Sequence, residues 1–526
     1  MDTQIPWLTV AVLVPMGAAL GMPFLPAKSG RTVRWYALGV GLLDFAWLVT
    51  GLWQGYDPAL QGYQLVEQWA WLPQLGGHWA MAVDGLSLPL LVLGALVTTL
   101  AMAAAWRVEH RPRLFYALML VLYGAQLGVF AAKDVLLFFL MWELELVPVY
   151  LLIAIWGGQQ RQYAATKFIL YTALGSVLIL VGGLALAVAG SPFTWDMAVL
   201  RERSLPLGLE IFAYLAFLVA FGVKLPIFPF HTWLPFAHSE ASAPVSMVLA
   251  GVLLKLGGYG LLRVNGQMLS QAHQFLAPML VVLGVVNILY GALTAYSQTH
   301  LKKRLAYSSI SHMGFVLVGL GSLHDWGLQG AMLQMVSHGL IAAVLFFLAG
   351  VAYERTHTLD MGQLGGLAPS APRIFALFTA ASFASLALPG MSGFISELSV
   401  FLGLVDAPYN ALFKGVVVSL GAVGLILTPI YLLDALRRVF YGAPGAAVWT
   451  GTDANPRELF IALSLLVPVL WVGIYPRSLS DWSNPATTLM AAQWQTPAVM
   501  VAQPLAVPPV LFSTMHQEGV GLVGGQ

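Results

Sequence analysis

Residues 221–260 read FGVKLPIFPFHTWLPFAHSEASAPVSMVLAGVLLKLGGYG, and the fold follows from how this stretch is read. It holds two apolar segments, each with a lysine in its middle. Lys224 sits among Phe221, Val223, Leu225 and Ile227, and Lys255 among Leu253, Leu254 and Leu256. Neither is near a flank from which it reaches water. A charge at membrane depth costs roughly 2.5 to more than 10 kcal/mol, so its retention points to function. Pro226 and Pro229 follow Lys224 and remove helix hydrogen bonds. Freed backbone is tolerated at depth only where protein or water satisfies it. A broken helix with a lysine at the break implies a wet, polar path through a bilayer.

Composition agrees. Of 526 residues, 59% are hydrophobic and only 9% charged, against about 25% charged in soluble domains. This is the composition of a polytopic membrane protein, and apolar runs of roughly 20 residues make its expected fold all-α. The net charge of +1 and the lack of a basic, aromatic-interleaved patch give nucleic acid no support. The absence of cysteine excludes thiolate-held iron–sulfur clusters and disulfides. No Walker A sequence and no G-x-G-x-x-G in a strand–helix setting is present, so nucleotide binding has no support either. The start, MDTQIPWLTVAVLVP, lacks a basic n-region and an A-x-A site, so its apolar run reads as a retained span.

Apolar runs bounded by charge, Gly and Pro predict fourteen spans. Their limits are about 6–25, 33–53, 84–106, 113–131, 134–156, 164–188, 209–230, 244–264, 274–296, 305–321, 327–350, 372–401, 411–439 and 457–478, each to within roughly 2–4 residues. Residues 54–83 form an external loop whose Trp69, Trp71 and Trp79 suit the membrane interface, and the segment from 479 reads as a tail. With the N-terminus outside, sixteen of the 24 lysines and arginines fall on inside loops, among them Lys28, Arg107, Arg161, Lys302, Lys303 and Arg304. This bias places both termini on the non-cytoplasmic side. Lys302, Lys303 and Arg304 are most simply topology anchors.

Spans seven and twelve are interrupted, the first at Lys224–Phe230 and the second in LALPGMSGFISEL, where Pro389, Gly390 and Gly393 precede Glu397. Paired discontinuous helices point to inverted repeats with a path between them. Spans 4–8 and 9–13 are the candidate repeats, matching five with ten and seven with twelve.

Other charges at depth extend the path. Glu143 and Glu145, in FFLMWELELVPVYLL, point to different helix faces, so at most one meets a given lysine. A carboxylate beside a buried lysine forms either a proton switch or a static ion pair that fixes packing. His312 and His338 lie within spans ten and eleven and suit a relay between Lys255 and Glu397. Axial ligation of a haem is the sharper alternative. His231, His238 and Glu240 crowd the loop between spans seven and eight, without the spacing of H-E-x-x-H zinc sites. Asp44 reads as a packing or subunit-contact residue.

These motifs together resemble the antiporter-like proton-translocating subunits of complex I. Residues 221–260 resemble the family signature, WELELVPVYLL the glutamate-bearing fifth helix, and WGG (156–158) with YAATKFILYTALGS (163–176) the segment after it. LKKRLAYSSISHMGF resembles the basic loop and tenth helix, and LPGMSGFISEL the broken twelfth. PWLTVAVLVP and VDGLSLPLLVLGALVTTLAMAAAW resemble the fourth-chain branch of the cyanobacterial and plastid NAD(P)H–quinone oxidoreductases.

The resemblance implies fourteen helices, with three N-terminal spans and the external loop in 1–110. The antiporter-like core, with two inverted five-helix repeats, then occupies 111–440, and the last span and tail 441–526. It implies an ion pair of Glu143 with Lys224, Lys255 as central relay and Glu397 as terminal acid. It also implies no cofactor in this chain, with quinone, iron–sulfur clusters and NAD(P)H or ferredoxin at other subunits. The implied partners are those membrane subunits and lipids, and the implied site is a thylakoid membrane with both termini in the lumen. His300 stands where the family often has aspartate before the basic loop, and Glu145 is a second membrane carboxylate; both bear on how protons are taken up. The rival readings are a subunit of a multi-subunit sodium/proton antiporter and a static structural membrane subunit.

Overall fold

The computed structural model describes residues 5–26 and 30–495. Lys28 and residues 496–526 of the expected tail lie outside the described residues. The chain opens with helices α1 (Trp7–Gly21) and α2 (Arg31–Gly55), followed by strands β1 (Gln64–Leu72) and β2 (Gly77–Val83). The strands form an antiparallel hairpin that pairs Trp69 with Trp79. Thus the expected external loop is folded, and it leaves Trp69 and Trp71 exposed.

The helices then run α3 (Leu88–Ala104), α4 (Pro112–Ala131), α5 (Val135–Leu144), α6 (Leu146–Trp156), α7 (Arg161–Val188), α8 (Met197–Arg201) and α9 (Leu207–Lys224). After the first break come α10 (Leu234–Glu240), α11 (Ala243–Val248), α12 (Leu254–Gly260), α13 (Ser270–Ser297), α14 (Leu301–Gly321) and α15 (Asp325–Thr356). The chain continues through α16 (Pro372–Ser385), α17 (Ser392–Asp406), α18 (Ala411–Phe440), α19 (Pro456–Ile474) and α20 (Arg477–Gln495).

Twelve helices among the described residues are long and apolar enough to cross a membrane, and the chain is an integral, multi-pass membrane protein. Two of the fourteen expected spans are not in that set. The tenth, within α14, carries Ser308, Ser309, Ser311 and His312 in its middle, which lowers its hydropathy. The twelfth is cut into α16 and α17. The expected tail also differs, since residues 477–495 form helix α20. Its Trp494 donates from Nε1 to the Gly266 carbonyl at 2.9 Å.

Burial sorts the helices. Within Ala243–Met268 and Asp325–Thr356 the most apolar 18-residue stretch is buried completely, as helices apolar on all sides require. About the same core, α1, α2 and α18 turn most of their length outward, exposing Leu43, Trp53, Leu412 and Ile426. That outer surface suits hydrocarbon. Close approach at the centre depends on glycine. A Cβ on Gly284 would lie 2.7 Å from the Gly314 carbonyl oxygen, so α13 and α14 pack backbone to backbone. A Cβ on Gly257 would lie 2.6 Å from the Leu225 nitrogen and 2.7 Å from the Phe221 oxygen. Hence α12 lies directly against the end of α9, which brings the chain around Lys255 to the chain around Lys224.

The supposed topology anchors are partly core. Helix α14 begins at Leu301, so Lys302, Lys303 and Arg304 form its first turn, not a loop. Lys302 and Arg304 are buried; Arg304 donates to Asp434 at 2.8 Å and Lys302 to the Ala241 carbonyl at 2.8 Å. Arg263, at the end of the eighth expected span, is buried and holds Asp84 through two bonds of 2.5 and 2.8 Å.

Candidate functional site

The site begins where helices are interrupted. Helix α9 ends at Lys224 because Pro226 and Pro229 cannot continue it. Neighbours take up the freed backbone. Asn287 of α13 donates to the Pro226 carbonyl at 3.1 Å and accepts from the Phe228 N–H at 2.8 Å. Trp233 Nε1 donates to the Val223 carbonyl at 2.7 Å. The C-terminus of a helix also favours a cation, and Lys224 is placed there.

The fifth span is divided as well. Pro148 has no N–H to give to the Leu144 carbonyl, so α5 stops at Leu144 and α6 starts at Leu146. Glu145 occupies the joint, fully buried. Its carboxylate is in contact with the Lys224 amine, which also lies 3.7 Å from the Trp142 ring centroid. The ion pair expected between Glu143 and Lys224 is therefore made by Glu145. Glu143, one residue before the end of α5, acts on Lys224 through space, and its Oε1 is buried with no hydrogen-bond partner. With two carboxyls and one amine, the fully ionised group carries a net charge of −1, which one proton on a carboxyl neutralises.

Lys255 lies at the start of α12, flanked by π-helical turns at Leu249–Leu253 and Leu261–Met268. Such widened turns occur often at functional sites. Its amine donates to the Ala250 carbonyl at 2.5 Å and meets His338 Nδ1 at 2.8 Å. It has no carboxylate partner within ion-pair distance among the described residues. An ammonium facing a ring nitrogen needs that nitrogen's lone pair, so Lys255 and His338 together hold one proton in the contact between them.

The chain of polar groups continues. The rings of His338 and His312 are 5.6 Å apart. His312 Nδ1 is 3.2 Å from Glu397 Oε1, and His312 Nε2 is 3.2 Å from Ser385 Oγ. Gln334 donates to Glu397 at 3.4 Å, and Ser396 donates to Gln334 Oε1. Both nitrogens of His312 and one of His338 are thus engaged by protein groups. A cavity of about 10 Å³ touches His338, His312, Gln334 and Glu397, which is room for about one water.

The structure brings Lys255, His338, His312 and Glu397 into one line and sets Lys224 with Glu145 beside it. His231 and His238 go to separate neighbours: His231 Nε2 lies 3.3 Å from the Tyr290 hydroxyl, and His238 stacks on Phe346. Among the described residues, no group of three or more His, Cys, Asp or Glu is placed to hold a metal ion. Sequence reading did not find Gln334, Ser385 or Asn287. Gln334 had a signal, since it precedes His338 by four residues and so shares its helix face.

A helical membrane bundle with ionisable groups joined along its buried middle is the architecture of a charge-conducting membrane subunit. Residues 132–423 match the family model described as NADH:quinone oxidoreductase/Mrp antiporter, TM. NAD(P)H-quinone oxidoreductase chain 4 2 of Thermosynechococcus vestitus is 61% identical over 506 residues, covering 96% of this chain and 95% of that one. NAD(P)H-quinone oxidoreductase chain 4 1 of Picosynechococcus sp. is 60% identical over 510 residues, covering 96% of each. Among solved structures, a chain of respiratory complex I from Thermus thermophilus with bound NADH has a TM-score of 0.83 at 30% identity, covering 93% of this chain and 99% of that one. A chain of the Mrp complex from Dietzia sp. shares the fold, with a TM-score of 0.79 at 24% identity over 91% of this chain and 52% of that one. The chain belongs to the NADH:quinone oxidoreductase/Mrp antiporter membrane family, as an antiporter-like complex I subunit of the chain 4 type.

Proposed function

We propose that this chain is the proton-translocating module of an NAD(P)H- or ferredoxin–plastoquinone oxidoreductase in a cyanobacterial thylakoid membrane. The observation that carries the reading is the buried line Lys255–His338–His312–Glu397, which crosses from α12 through α15 and α14 to α17. Redox chemistry belongs to partner subunits, where quinone, iron–sulfur clusters and the electron donor bind. Counting α14 and the broken α16–α17 pair brings the spans to fourteen, with both termini in the lumen and the core between residues 111 and 440.

The two halves then correspond as inverted repeats. Span five carries Glu145 and span seven Lys224; span ten carries His312 and span twelve Glu397. In each half an acid and a base meet beside a broken helix. Energy from quinone reduction reaches the chain as a change at Lys224, Glu143 and Glu145. Loss of negative charge beside Lys224 favours release of its proton, and the changed field raises or lowers proton occupancy at Lys255. A proton on Lys255 passes to His338, then to His312, and leaves through Glu397. Moving one charge against 100 mV requires about 2.3 kcal/mol, within reach of a rearranged buried ion pair.

Lys255→Met is the direct test. In an assembled complex it should abolish proton translocation while the chain stays inserted; normal translocation would refute the mechanism. A multi-subunit sodium/proton antiporter role is the second reading, favoured by the shared Mrp fold. Sodium-dependent transport without quinone-linked activity would establish it instead.

A further inference from the structure

At the end of the bundle that carries Arg107, Lys302 and Lys303 lies a cavity of about 710 Å³. His300, Lys302, Lys303, Glu240, Glu354 and Asp360 are among the groups lining it. In the orientation proposed above, this is the cytoplasmic end. Lys302 is at the inner limit of the cavity, only 5% exposed, and its amine donates to the Ala241 carbonyl at 2.8 Å. Glu240 acts on it through space.

Three residues before Ala241 is His238. It is fully buried, and neither ring nitrogen has a hydrogen-bond partner. Its ring lies flat on Phe346, with centroids 4.2 Å apart and planes at 12°. A buried polar atom left unsatisfied costs on the order of 1–3 kcal/mol, so an apolar residue would serve packing better here. Two charges act on His238, those of Lys302 and Lys255, and His238 in turn acts on His338. Phe346 lies two helical turns from His338 on α15. Between them a cavity of about 10 Å³, lined by Ser308, Ser309, Phe346 and His338, has room for about one water.

We propose that His238 is the proton relay from the cytoplasmic-end cavity to His338 and Lys255, with Lys302 as its donor. The inference rests on the proposed function and adds an uptake route to it. Swinging from the Ala241 carbonyl to His238, the Lys302 ammonium gives a proton to one ring nitrogen and regains one from water in the cavity. His238 releases a proton from its other nitrogen toward His338 and Lys255. An imidazole takes a proton on one nitrogen and gives one from the other, and a half-turn about its Cβ–Cγ bond, which keeps the ring flat on Phe346, restores the first tautomer. Protons then load Lys255 without passing through Lys224, and the Lys224 cluster acts on the line as a trigger and not as its source.

The rival role for Lys302 is to cap α10 as a fixed charge. Arginine separates the two, because it keeps the charge and the donors but does not release its proton in proteins. The experiment measures proton uptake per electron in membranes with the assembled complex, for His238→Phe, His238→Gln, Lys302→Arg and Lys255→Met. The relay predicts a loss on the order of tenfold in His238→Phe, His238→Gln and Lys302→Arg, beside the complete loss expected of Lys255→Met. Normal uptake in either His238 variant, with uptake lost in Lys255→Met, overturns the relay and leaves the proposed function standing. Normal uptake in Lys255→Met overturns the proposed function itself. Should the bulk of phenylalanine prevent assembly, His238→Gln, close in size and able to hydrogen-bond without carrying a proton, decides the matter.

Discussion

Lys224 is in contact with Glu145 while Glu143, two residues away, faces it only through space. Residues two apart point to different sides of a helix, and the joint made by Pro148 turns Glu145 toward α9. The three groups form one site, so changing either acid should disturb the same proton. Glu143→Gln and Glu145→Gln are each expected to lower proton uptake on the order of tenfold, with the double variant no worse than the poorer single, as for groups acting as a unit. Uptake per electron in isolated membranes reads this directly. Normal uptake in Glu145→Gln would make the contact a packing feature only.

The approach of α12 to α9 depends on Gly257. A Cβ there meets two backbone atoms at 2.6 and 2.7 Å, and backbone cannot swing aside as a side chain can. Gly257→Ala should therefore destabilise the chain by about 1–3 kcal/mol and move α12 from the end of α9. The check is the thermal midpoint of the purified complex together with its proton uptake. An unchanged midpoint and unchanged uptake would show that the two helices need no such closeness.

Asn287 satisfies both a donor and an acceptor exposed by the first break. Asn287→Leu leaves the Phe228 N–H and the Pro226 carbonyl unpartnered, at a cost of about 1–3 kcal/mol for each group. Reduced accumulation of the assembled complex is the expected result, seen by native electrophoresis. Asn287→Asp keeps the acceptor for Phe228 and should be milder than the leucine variant.

His300 caps α14, its Nδ1 accepting from the Lys303 N–H at 3.4 Å. Burial, and then Lys302 and Lys303, push its pKa down to about 4, from about 6.5 in an unfolded chain. The fold favours the neutral ring, so the stability it supports is complete above about 6.5 and declines as pH falls toward 4. His300→Asp keeps a capping acceptor that does not change charge across most of that window. The wild-type thermal midpoint should fall between pH 7 and 5 by more than that of His300→Asp. Equal falls would remove His300 from the acid sensitivity.

Much of this was legible in the residues. Lysines at mid-span and prolines at Pro226, Pro229 and Pro389 carry the broken helices and the buried axis. What was not legible depends on contacts between distant segments. The choice of Glu145 over Glu143 turns on how Pro148 divides a span, which hydropathy does not register. The burial of Lys302 and Arg304 is decided by Ala241 and Asp434, residues about 60 and 130 positions away, while their sequence reads as a cationic loop. Helix α20 escaped because its apolar residues are too few for a span, although Trp494 anchors it to the core.

In the proposed mechanism, charge at Lys224 governs proton movement along the buried line. The most direct measurement is light- or donor-driven proton uptake in membranes carrying Lys224→Met, with quinone reduction followed in the same sample. The expected result is an assembled complex in which uptake is lost, either alone or together with quinone reduction. Normal quinone reduction with an unchanged ratio of protons to electrons would leave Lys224 a structural charge and place the proton path in another subunit.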